Sequence, residues 1–185
     1  MSQYLAQAMG CYLEAVQIET TEKARIHLPK CLWMLTKDVG PSPGLLCQTL
    51  ESRGVKLAPW VWLPWIPQLL TGLCRTEGRT IKSILSRVVK AYPQSVYYSL
   101  RVFYLERRDV ERAKGVPALS SQHMASVAYA EDMMSTLRRS HASLWSSLEA
   151  ILEELIVKFR PSYEEELLAT ISALLERAED RKSVV

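Results

Sequence analysis

Apolar residues recur three and four positions apart along nearly the whole chain, and no segment alternates apolar and polar residues as a half-buried strand requires. That periodicity restricts the chain to an all-α fold. Tyr4, Ala8, Cys11, Tyr12, Ala15 and Val16 form one stripe and predict a helix over 3–18. A second pattern runs through Ala24, Leu28, Cys31, Leu32 and Leu35, with Thr20-Thr21 offering cap chemistry and Pro29 predicting a kink or break. The run GPSPG at 40–44 is a breaker, and a short helix over 44–53 is expected to stop at Gly54. Pro67 opens the next helix, Gly78 separates it from one reaching Tyr92, and Pro93 opens another bearing Val96, Tyr97, Leu100, Phe103 and Tyr104. Beyond KGVPALSS at 114–121, the best linker, a long helical region passes through Met124 and runs on through Leu144 to Phe159. Pro161-Ser162 ends it, and a last helix carries Leu167, Ile171 and Leu174.

The expectation is seven or eight helices, arranged as an α-solenoid of antiparallel helix pairs. Residues 1–113 form its repeats, 114–121 the linker, 122–182 a continuing helical hairpin, and 183–185 a frayed tail. Spacing between the proline-led helices is too irregular to define a clean repeat length.

With 48% hydrophobic and 23% charged residues in 185, the chain can bury a core, and disorder throughout is excluded. The N-terminus has no basic region ahead of an apolar stretch, so it is not a secretory signal. The uncharged stretch 57–74 contains Pro59, Pro64 and Pro67, which deprive a spanning helix of backbone donors. Cys11, Cys31, Cys47 and Cys74 fit no C-x-x-C spacing and read as small core hydrophobes in a reducing compartment.

Chemistry has little to stand on. Phosphate loops of the G-x-x-x-x-G-K or G-x-G-x-x-G type are absent, and there is no H-R-D, no D-F-G and no Asn to hold a kinase metal. His27, His123 and His141 are not paired at helical spacing, and a Ser140-His141 nucleophile lacks a third group. Glu153-Glu154 and Glu164-Glu165-Glu166 suit solubility and the positive end of a helix dipole. No catalytic, cofactor-binding or metal residue is assigned, and no cofactor is expected.

Charge is unevenly spread. Residues 75–114 hold ten Lys or Arg against four acids, and residues 149–180 hold nine acids against three bases. Arg101, Arg107, Arg108 and Arg112 are the candidate interaction surface. Their interleaving with Glu106, Asp109 and Glu111 favours a solvated face, so direct nucleic-acid binding is not expected. Trp60, Trp62 and Trp65 lie within six residues, fenced by prolines, and read as a rigid inter-helix corner rather than a peptide groove.

The pattern W-x-x-W-I-P-Q-L-L, carried by Trp62, Trp65, Ile66, Pro67, Gln68, Leu69 and Leu70, is followed by A-Y-P-Q-x-x-Y-Y, with Tyr92, Pro93 and Gln94. With CYLEA at 11–15, LWML at 32–35 and the run 144–175, these motifs resemble the FAT domain region of the TRRAP family of transformation/transcription domain-associated proteins, pseudokinases among the phosphatidylinositol-kinase-related kinases. The resemblance is strongest at 60–109 and weakest at 114–140. It implies a tetratricopeptide-like, non-catalytic scaffold in the nucleus. The implied partners are proteins: subunits of SAGA-type histone acetyltransferase complexes and transcription activators, with no small-molecule substrate and no membrane. The other readings are a FAT region from an active kinase of the same family and a generic helical-repeat adaptor. The family's HEAT-repeat region and kinase-like module are not in these 185 residues, so the chain reads as a piece of a longer array. On that reading the first helix, with Tyr4, Leu5, Met9, Tyr12 and Leu13, is the sticky end, and the acid-rich last helix suits solvent.

Overall fold

The computed structural model describes residues 2–19, 25–38, 44–112, 121–159 and 163–182, with no side chain described at 111, 112, 121, 163 or 176–182. Two compact units divide the chain, Met1–Ala142 and Ser143–Val185. Among the described residues there are nine α-helices and no strand. The chain is all-α, with one or two more helices than the periodicity implied.

The first unit begins with α1 (Ser2–Ile18), which packs on α2 (His27–Leu35) and α3 (Leu45–Thr49). Met9, Leu13 and Val16 supply the buried face of α1, and Leu28, Cys31 and Leu35 that of α2. The break expected near Pro29 falls just ahead of it: Arg25 is helical, Ile26 is a turn and a new helix starts at His27, as the clash of the proline ring with the carbonyl four residues back requires. Pro29 itself is the third residue of α2, where the backbone has no intrahelical acceptor for an N–H to miss. The Thr20-Thr21 cap and the 183–185 tail lie outside the described residues, as does the 114–121 linker except for Ser121 at the start of α7.

Helix α3 is capped from a distance. Leu46 N–H donates to Asp38 Oδ1 at 3.2 Å and Cys47 N–H to Oδ2 at 3.0 Å. Gly44 precedes the helix because a Cβ there would collide with the same carboxylate. The chain then widens into a π-helical turn, Leu50–Gly54. This turn reaches both ways. Glu51 Oε1 accepts the Thr80 hydroxyl at 2.8 Å, while Arg53 pairs with Glu14 on α1.

Proline spacing shapes the next segment. Pro59 and Pro64 remove donors from a run that forms a 3-10 helix, Pro59–Trp65, before α4 (Ile66–Gly72) takes over with Pro67 as its second residue. Helix α5 (Gly78–Ala91) is the hub, packing on the π turn, the 3-10 helix, α4, α6 (Pro93–Arg112) and α7 (Ser121–Ser140). Thr80, Ile81, Ile84, Leu85, Val88 and Val89 give it a broad buried face. Its first residue is glycine because a Cβ would lie 2.5 Å from the Leu73 carbonyl oxygen. Lys82 ties α5 to α7, with Nζ 2.6 Å from Asp132 Oδ2 and 5.4 Å from the Tyr129 ring centre.

Helix α7 ends at Ser140, and α8 (Ala142–Lys158) starts after a bend at His141. The sequence had run these together as one region. Both apolar patterns are helical, so periodicity alone gives no signal for a bend between them. The second unit holds most of α8 and all of α9 (Tyr163–Lys182), and both helices show large exposed apolar side chains. This reverses the expectation about the sticky end. In α1, Met9 and Leu13 are buried and Leu5 and Tyr12 half-buried, leaving Tyr4 and Ile18 exposed. In α8 and α9 the exposed set runs from Ile151 to Leu175.

Candidate functional site

The tryptophan corner separates into core and rim. Trp62 is fully buried, as is Leu69, and Ile66 and Leu70 are nearly so. Trp60 and Trp65 are half-buried, and the Arg25 guanidinium sits 4.7 Å from the Trp60 ring centre. Among the described residues the indole N–H groups of Trp62 and Trp65 find no acceptor. Ring burial has to offset that cost, which points to packing rather than polar recognition. Pro67, Gln68 and Gln94 are exposed, and Tyr92 and Pro93 half-buried at the α5–α6 junction. Tyr92 follows the last residue of α5 in a non-helical conformation, φ −134° and ψ 60°, outside the α region that the following proline disfavours.

A groove of about 300 Å³ lies in the first unit where α2, α4 and the start of α5 meet. Leu32, Trp33 and Leu35 form one wall, Gln68, Thr71 and Gly72 a second, and Arg75, Glu77 and Ile81 the end. Trp33 is 57% exposed, the most exposed tryptophan side chain described. Glu77 is buried, accepts the Thr76 hydroxyl at Oε2 over 3.2 Å, and has Oε1 3.9 Å from Arg75 Nη1. An apolar wall with one carboxylate and one guanidinium at its end can seat an aliphatic or aromatic side chain beside a peptide amide. The sequence reading missed this groove. Only Gln68, within the family motif, sits on it, and Trp33 was read as part of a motif rather than as surface.

The basic candidates stand on α6. Arg101, Arg107 and Arg108 are half-buried. Arg107 lies 5.3 Å from the Phe103 ring centre and Arg108 5.6 Å from that of Tyr104, one helical turn back. Arg108 Nε is also 3.8 Å from Asp109 Oδ1. The side chain of Arg112 lies outside the described residues.

The thiols divide as well. Burial pushes both Cys31 and Cys47 up to about 12, so both stay protonated and act as apolar packing. Cys74 is half-exposed, and Cys11 is exposed rather than the core residue expected. Among the described residues no three His, Cys, Asp or Glu side chains converge as metal ligands, and no helix is long and apolar enough to cross a membrane.

These features define a class: an all-α array of packed helices, with an aromatic corner buried at Trp62 and a groove of about 300 Å³. No protein-family model matches the chain. Individual relatives do. It is 36% identical over 165 residues to the human transformation/transcription domain-associated protein, covering 87% of this chain and 4% of that one. The Danio rerio protein of the same name is 32% identical over 181 residues, covering 87% and 5%. The Saccharomyces cerevisiae protein named SAGA complex/NuA4 acetyltransferase complex subunit TRA1 is 27% identical over 179 residues, covering 93% and 5%. The chain is homologous to one region of the TRRAP/Tra1 proteins, and it spans about a twentieth of their length.

Proposed function

We propose that this chain is a non-catalytic helical scaffold, part of a TRRAP-like transcription coactivator that links activators to histone acetyltransferase complexes in the nucleus. The observation that carries the reading is similarity over 93% of the chain to a yeast protein named as a SAGA and NuA4 acetyltransferase complex subunit. In this reading Trp62, Trp65, Ile66, Pro67, Leu69, Leu70, Tyr92 and Pro93 hold the helix pairs together. Gln68 and Gln94 stay at the surface, and Arg101, Arg107, Arg108 and Arg112 contribute a basic face. The helices after 121 continue the same array. The working surfaces are then protein-binding faces, which need fixed shape rather than titrating groups.

The test is affinity purification of the tagged chain from nuclear extract, followed by mass spectrometry. Enrichment of acetyltransferase-complex subunits is expected. Recovery of the chain without any of them, while it remains folded, overturns the reading.

A further inference from the structure

We draw no further inference here: the strongest candidate, the groove between α2, α4 and the start of α5 where exposed Trp33 stands beside Lys37 and Arg75 above the buried Glu77, carries charges of both signs that select no occupant, and nothing in the structure shows what covers it.

Discussion

Helix α5 and helices α8 and α9 carry apolar stripes of the same period, but their fates differ. The stripe of α5 is sealed by the π turn, the 3-10 helix, α4, α6 and α7. On α8 it is buried only at Trp145 and Leu148, and beyond them Ile151 and Leu155 are open, as is Phe159 just past the helix end, while the stripe on α9 is open throughout its described side chains. A stripe therefore specifies a helix and the need for a cover, but not what the cover is. Where neighbouring elements of the first unit supply it, the stripe is core; in the second unit residues of the same period are exposed.

The contrast breaks most readily at the tryptophan corner. Trp62→Ala empties a fully buried site and should cost about 3–5 kcal/mol in a denaturant melt, with Trp65→Ala clearly less because its ring is half-exposed. Equal costs for the two would show that the rim is packed as tightly as the core. Next is Gly78→Ala. The new methyl meets the Leu73 carbonyl, a backbone atom that cannot turn aside, and a loss of about 1–3 kcal/mol is expected by the same measurement. An unchanged midpoint would mean that the α4–α5 junction yields easily.

Asp38→Ala removes the acceptor for two N–H groups of α3 and should cost about 0.5–2 kcal/mol, read by thermal unfolding followed by circular dichroism. Asn at this position should recover part of it.

Lys82→Met tests the α5–α7 tie, and its effect is smaller still. The pair is partly exposed, so about 0.2–1 kcal/mol is expected at neutral pH. The hydrogen bond from Lys82 holds the Asp132 carboxyl below its ordinary range. A lowered folded value means that the stabilisation is present above the unfolded carboxylate value, about 3.9, and is lost as pH falls through the folded one. The difference between parent and variant should therefore shrink in acid. A difference that grows in acid would rule out the pair as its source.

The smallest effect is expected at the open stripe. Leu155→Glu should shift stability by no more than about 0.5 kcal/mol, because the side chain is already 44% exposed. A large loss would show that Leu155 is covered and that the two stripes are more alike than the structure has them.

The helices and most of their ends were legible because prolines, glycines and apolar spacing act locally. Pro67 and Pro93 stand in first turns as expected, and Gly54 ends the third helical segment. Pro29 signalled a break, and its position followed from the carbonyl four residues back, at Arg25, so that the turn falls at Ile26 and not at the proline itself. The Asp38 cap was invisible because it acts eight residues from its first acceptor-seeking N–H, outside any capping pattern. The groove escaped notice for a similar reason. Its walls come from α2, α4 and α5, and nothing in LWML marks Trp33 as the one that faces solvent.

By itself, then, the sequence determined an all-α chain, the identity of its tryptophan corner and its likeness to the TRRAP family, because periodicity, punctuation and motif are properties of neighbouring residues. Only the tertiary structure decided that Trp62 is core and Trp65 rim, and that Cys31 and Cys47 are buried while Cys11 is exposed. It alone showed that Met9 and Leu13 of α1 are buried while most large apolar side chains of α8 and α9 from Ile151 to Leu175 are exposed. Burial is a relation between segments distant in the chain. It depends on which stripe finds a partner, and the local pattern is the same whether or not it does.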